Sequence, residues 1–159
     1  MGGEDKRVVD RAPDRIDVGR TGLYILFASI TMFFGAIVSA MLVRRSTGND
    51  WTSVPLPWLV WVNTAVLIAS SIALWQDQRR AGILLGLAFV AGQCVAWSMI
   101  IRAAGPGNWF YWVFSVSHAL HVLGGFIAFR FARFELARTY WHFLAGLWVI
   151  LMILFVVMG

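Results

Sequence analysis

The sequence predicts an all-α integral membrane protein: a bundle of five transmembrane helices with the N-terminus cytoplasmic and the C-terminus outside. Three observations carry that expectation. Of 159 residues, 60% are hydrophobic and 13% charged, whereas a soluble globular chain carries about 25% charged residues. A bilayer core about 30 Å thick needs roughly 20 apolar residues in a helix, and five stretches meet or approach that length: about 22–43, 58–76, 81–101, 108–130 and 139–158. The basic residues divide unevenly between the segments joining them. With the N-terminus inside, Lys6, Arg7, Arg11, Arg15, Arg20, Arg79, Arg80, Arg130, Arg133 and Arg138 are cytoplasmic, and Arg44, Arg45 and Arg102 are outside, ten against three. Positive charge concentrates on the cytoplasmic side of membrane proteins.

Each element follows in order. Residues 1–21 form a cytoplasmic tail, mobile or lying on the interface, because KRVVDRAPDRIDVGR alternates charge sign and contains a proline. The first span holds Val38-Ser39-Ala40, which resembles a signal cleavage site. A secretory signal, however, has a short basic start and about 7–15 apolar residues. Here some twenty mixed-charge residues precede some twenty apolar ones, so the segment reads as a span. The segment RRSTGNDWTSVPLP leads to the second span, and QDQRR joins the second to the third in a tight helical hairpin. RAAGPGNW and FARFELAR make the last two connections. The domain reading is therefore the tail followed by a five-helix domain over 22–159. All eight acidic residues, Glu4, Asp5, Asp10, Asp14, Asp17, Asp50, Asp77 and Glu135, fall outside the apolar runs or at their edges.

The same placement bears on function. A net charge of +5 comes from basic residues scattered at segment ends, which marks topology and argues against a nucleic-acid partner. The single cysteine, Cys94, excludes an internal disulfide. Trp51, Trp58, Trp61, Trp75, Trp109, Trp112 and Trp141 stand near span ends and suit interfacial belts. Arg79, Arg80, Arg130, Arg133 and Arg138 make a cytoplasmic basic rim, an orientation signal that could also hold anionic headgroups or meet a partner subunit.

Helices in lipid associate through small residues and hydrogen bonds. Each of the first four spans shows a suitable stripe: Thr31, Gly35 and Ser39; Asn63 with Ser70, and Thr64 with Ser71; Gly82, Gly86 and Gln93; Ser117, His121, Gly124 and Ala128. The reading of every stripe is helix packing. His118 and His121 are three apart, one turn, so both leave one side of a helix. A buried neutral histidine needs a donor and an acceptor or it costs a few kcal/mol. Asn63, Gln93, serines, backbone carbonyls or lipid headgroups could serve. Haem ligation would pair one of them with His142, but that residue lies near the cytoplasmic end of its span while the pair lies mid-span. A proton relay would want carboxylates at depth, and the spans hold none. Three roles stay open from the residues: ligand, relay, and contact with helices or lipid.

NTAVLIASSIALW (63–75), GQCVAW (92–97), SHALHVLGG (117–125) and YWHFLAGLW (140–148) resemble subunit III of haem–copper oxidases, in that family's order and spacing, and TGLYILFASITMFF (21–34) resembles its first conserved helix. The resemblance covers about 20–158 and is to the short, five-helix bacterial form. It implies a non-catalytic accessory subunit of a respiratory terminal oxidase reducing oxygen to water. Haem and copper would be in partner subunits and none in this chain. Subunit I and subunit II would be the partners, with phospholipids held between helices and cytochrome c or quinol met only through the complex, in a bacterial plasma membrane. No catalytic, cofactor or metal residue is expected here. The resemblance makes His118, His121, His142, Asn63, Gln93, Arg79, Arg80 and Arg130 candidates for lipid or helix contacts.

Three departures from the family pattern go together: Ile30, Ala96 and Ala145 stand where it usually has carboxylates. A charge at depth costs at least about 2.5–3.5 kcal/mol and is kept for function, so their joint loss leaves scaffolding and lipid retention rather than proton handling. The accessory protein of a nitric oxide reductase system is a close alternative. A small b-haem carrier using His118 or His121 with His142 is one of a different class. A transporter would show an inverted repeat or a charge at depth, and neither occurs.

Overall fold

A computed structural model describes residues 18–47, 56–104, 109–131 and 133–158, and all of its regular structure is helical. Five helices follow one another: α1 (Val18–Thr47), α2 (Trp58–Trp75), α3 (Arg79–Ala104), α4 (Trp109–Phe131) and α5 (Phe134–Met158). They are uninterrupted because every proline lies outside them. Pro57 precedes α2 with φ −63° and ψ 146°, the extended geometry from which a helix can start. The tail expected over 1–21 lies outside the described residues as far as 17, and α1 takes in 18–21.

The expected hairpin closes as QDQRR suggested. Gln78 N–H donates to the Ala73 carbonyl and Asp77 N–H to that of Leu74, which ties off the last carbonyls of α2 in the Schellman pattern. That pattern needs a left-handed residue, here Asp77 at φ 59°. Aspartate tolerates this conformation better than most side chains. Two residues later α3 begins, and α2 and α3 run side by side as the most extensive helix pair.

Close approach along that pair is set by small residues. A Cβ on Gly82 would strike the Leu74 side chain, and one on Gly86 would strike the Trp141 ring. The first core cluster is built there, from Val60, Leu67 and Leu74 of α2, Phe89, Ala96 and Ile100 of α3, Val122 of α4, and Trp141 and Trp148 of α5. α5 also carries the second cluster, in which Ile30, Phe34, Ile37 and Met41 of α1 meet Tyr140 and Leu151. Ring stacking reinforces it, with Phe27 and Phe143 centroids 4.1 Å apart.

Four helices, α1, α2, α3 and α5, are long and apolar enough to cross a membrane. The fifth, α4, packs against α5, and its 23 residues rise through roughly 35 Å.

Two expectations about packing are corrected. Thr31, Gly35 and Ser39 do not make the packing face of α1: all three are exposed, and a Cβ at Gly35 would meet nothing within 4 Å. The face turned to α5 is the large apolar row Ile30, Phe34, Ile37 and Met41, and the Thr31 hydroxyl donates to the Phe27 carbonyl of its own helix at 2.8 Å. Trp141 is not an interfacial residue either, since only 2% of it is exposed and its ring fills the first cluster. Trp58, Trp61 and Trp75 are exposed, as a belt requires. Trp51 and the side chains of Trp109 and Trp112 lie outside the described residues.

Candidate functional site

The polar residues singled out in the spans are distributed over two faces of α5. On the α2 side they form a ladder of interhelical hydrogen bonds. Asn63 Nδ2 donates to Gln93 Oε1 at 3.3 Å, with both side chains 4% exposed, joining α2 to α3. One level on, Trp148 Nε1 donates to Thr64 Oγ1 at 3.0 Å. Below it, Trp141 Nε1 donates to Ser70 Oγ at 3.1 Å, and that hydroxyl donates in turn to the Gly82 carbonyl at 2.7 Å. Ser71 Oγ and His142 Nδ1 share a further bond. Thus α5 reaches α2 through Trp148, Trp141 and His142, at positions 148, 141 and 142, and α3 through the shared Ser70.

The paired histidines lie elsewhere. His118 is 7% exposed and fits among aromatic rings of α3 and α5, with its centroid 4.5 Å from Trp148, 6.1 Å from Trp97 and 6.5 Å from Phe89. His121 is half-buried. Its Nδ1 donates to the Ser117 carbonyl, which fixes its tautomer, and its ring stands 5.1 Å from that of Phe34 on α1. The Tyr140 hydroxyl donates to the His121 carbonyl at 3.0 Å and holds α5 against α4 there.

His118 and His121 border one small cavity of about 20 Å³, to which every helix contributes and from which His142 is absent. His142 precedes Trp148, the α5 neighbour of His118, by six residues. That is about 9 Å of rise and a third of a turn. The structure therefore brings His118 and His121 together and leaves His142 on the α2 side. Haem ligation by a histidine of each helix finds no facing pair. Among the described residues no group of three or more histidine, cysteine, aspartate or glutamate side chains could hold a metal ion.

His121 also borders a groove of about 470 Å³ between α1 and α4 over α5. Gly19, Gly22, Leu23, Leu26 and Ile30 of α1 form one wall, Leu120, Gly124 and Ala128 of α4 the other, and Ala137 and Tyr140 the floor. It exists because α1 is anchored chiefly through α5, while glycines and alanine keep the facing wall of α4 low. The groove is long and apolar with one imidazole at its side, a shape suited to a hydrocarbon chain rather than a polar metabolite.

The basic rim splits by environment. Arg79 stacks over the Phe134 ring at 4.5 Å, and Arg138 lies 5.9 Å from the same ring while pairing with Asp77 at 2.7 Å. Arg80 and Arg130 are exposed. The positions where the family resemblance implies carboxylates are filled by apolar core: Ile30 is 4% exposed, Ala96 0% and Ala145 6%.

Sequence reasoning missed the part played by aromatic donors. Trp141, Trp148 and Tyr140 each bridge two helices, yet a tryptophan in an apolar run reads equally as belt or core. Gly92 was missed as well: all three heavy atoms of the Asn63 carboxamide lie under 3.0 Å from where its Cβ would stand. Its spacing from Gly82 and Gly86 hid it, since six residues from Gly86 put it on no obvious stripe.

No family model matches the chain. It is similar to the cytochrome c oxidase subunit 3 of Thermostichus vulcanus, at 27% identity over 90% of this chain and 89% of that one. It is also similar to the probable cytochrome c oxidase subunit 3 of Nocardia farcinica (strain IFM 10152), at 28% identity over 86% of each. The resemblance carried by the histidine and Tyr-Trp-His-Phe motifs is upheld by both. With its apolar helices, this makes the chain a multi-pass membrane protein.

Proposed function

We propose that this chain is a subunit III of a respiratory haem–copper terminal oxidase, a non-catalytic accessory subunit that scaffolds the catalytic subunit and retains phospholipids while the complex reduces oxygen to water. The observation that carries the reading is similarity to two proteins named cytochrome c oxidase subunit 3 over nearly the whole length of the chain. Subunit I, with subunit II, would be the partners and would hold the haem and copper. Cytochrome c or quinol would be met only through the complex. Five spans, an N-terminus in the cytoplasm and a bacterial plasma membrane complete the proposal, supported by the ten-to-three division of basic residues.

The shape of the α1–α4 groove supports the lipid-retention part of this reading. An acyl chain lying in the groove between α1 and α4 would meet the leucines of α1 and the low glycine–alanine wall of α4. His118 and His121 are then contact residues: the first locks α4 into the rings of α3 and α5, and the second shapes the groove. The ladder from α5 to α2 ties the helix that carries the floor to its neighbours and favours rigidity there. Scaffolding needs that rigidity too, because a surface presented to a partner must not rearrange at each encounter.

The test is a mild-detergent pull-down of the chain from its native membrane, with an absorption spectrum and mass spectrometry of what accompanies it. Haem–copper catalytic subunits in the eluate, and a colourless chain once separated, are expected. A nitric oxide reductase in the eluate would replace the oxidase in the proposal, and a chain that keeps a Soret band alone would overturn it. In the complex, His121→Ala should lower the amount of co-purified phospholipid and leave the haem content per complex unchanged. Loss of haem in that variant counts against a contact role.

A further inference from the structure

The α1 helix is held along only part of its length. From Ile30 to Met41 its row of large apolar residues packs on α5, and Phe27 is stacked on Phe143. Before Phe27 the environment changes: among residues 18–26 Leu23 is half-buried and the rest are exposed. This arm of about two and a half turns carries Gly19, Gly22, Leu23 and Leu26, the whole α1 wall of the groove except Ile30. Between the arm and the packed row stand Ser29 and Thr31. Each hydroxyl donates back along the helix, Ser29 Oγ to the Ile25 carbonyl at 2.9 Å and Thr31 Oγ1 to the Phe27 carbonyl at 2.8 Å. A hydroxyl bonded to the carbonyl four residues back competes with the helical ladder at that turn and often bends it. Thr64 makes the same kind of bond in α2, but there the Trp148 indole and the whole of α3 hold the helix in place. In α1 both bonds fall on exposed residues, at the point where packing on α5 gives out.

We infer that the first turns of α1 are a lid hinged over Ile25–Thr31, which swings away from α4 to admit a hydrocarbon chain to the groove and comes down over it afterwards. Both walls leave room for that movement. A Cβ at Gly22 would meet nothing within 4 Å, so no close contact requires the glycine. What it does there is loosen the helix, since glycine holds helical geometry less firmly than alanine. Across the groove, a Cβ at Gly124 would meet only the Tyr140 hydroxyl, at 3.3 Å. With Ala128 it gives Leu23 and Leu26 a low surface to descend on. An arm of nine residues is about 14 Å long, and a bend of about 20° moves its tip by about 5 Å. The floor at Ala137 and Tyr140 belongs to α5 and stays in place. That the occupant is a hydrocarbon chain rests on the function proposed above; the hinge rests on α1 itself.

The experiment measures distances between nitroxide labels on the full-length chain in detergent by pulsed electron resonance, with Cys94→Ser removing the native thiol. Thr21→Cys on the arm with Ile127→Cys on α4 reports the lid, and Leu42→Cys with Val116→Cys reports the packed half. All four side chains are exposed, so labelling spares the core. In delipidated chain the arm pair should give the broader distribution. Adding dioleoylphosphatidylcholine should narrow it and shift its mean by about 5 Å, while the packed pair stays as it was. Ser29→Ala/Thr31→Val removes both back-bonds at exposed positions, and the arm pair should then stop responding to lipid. Equal breadth of the two pairs, or an unchanged lipid response in the double variant, overturns the lid. Native mass spectrometry of wild type and His121→Ala counts the groove lipid in parallel. Lipid that depends on His121, with an arm that does not move, refutes the lid alone. Absence of any such lipid overturns the groove reading and the lid with it.

Discussion

Gly92→Ala tests the contact on which the α2–α3 pair is built. The Cβ it adds would lie under 3.0 Å from the Oδ1, Cγ and Nδ2 atoms of Asn63. Asn63 is 4% exposed and holds Gln93 by a hydrogen bond, so its amide cannot swing away from the new Cβ without giving up that partner. Two costs follow. Overpacking of a filled interior costs about 1–3 kcal/mol, and a broken interhelical hydrogen bond in a membrane bundle about 0.6 kcal/mol. Against them stands the gain of alanine over glycine in a helix, about 0.8–1 kcal/mol. The net expectation is a loss of about 0.6–2.8 kcal/mol. In an Asn63→Ala background the clash is absent, and the same Gly92→Ala change should be neutral or stabilising. The assay is reversible unfolding in mixed micelles for the four members of the cycle. Gly35→Ala serves as control, since its Cβ meets nothing within 4 Å. A coupling of about 1–3 kcal/mol between the two positions is expected. The same loss in both backgrounds would refute the reasoning, because the penalty would then lie in the helix itself and not in the α2–α3 contact.

Two further outcomes follow from the core. Ser70→Ala removes the acceptor of the Trp141 indole and the donor to the Gly82 carbonyl together; it should cost about 1–3 kcal/mol in the same micelle assay, since a buried donor is left unsatisfied, and a change below about 0.3 kcal/mol would show that the ladder carries no energy. Ala96→Glu restores a carboxylate where the family pattern has one, but into a fully buried position packed by apolar neighbours. It should lower the yield of folded chain and cost at least about 2.5 kcal/mol, and a variant as stable as wild type would mean that the site keeps space or a partner for the acid.

What the sequence determined by itself is the part governed by solvent and chain length. Apolar runs of about 20 residues admit one answer in a bilayer, so the five helices appear where composition put them, and the Asp77 hairpin follows from the short connection, in which Gln76, Asp77 and Gln78 alone separate α2 from α3. The pairing of His118 with His121 was equally local, since spacing along one helix fixes a shared side. Which face of a helix meets which neighbour was not local. In α1 the small stripe and the large apolar row are both periodic, and only the docking of α5 decides that Ile30 and Phe34 go in while Gly35 stays out. Trp141 belongs to the interior rather than to a belt because Ser70 stands where its indole N–H can donate and Gly86 clears room for its ring. His142 is parted from the other two histidines by rotation about α5, a quantity that no single helix contains. Lipid makes every apolar face equally comfortable outside, so sequence periodicity alone cannot choose between inside and outside. Steric fit and hydrogen-bond partners make that choice, and both exist only once the helices are side by side.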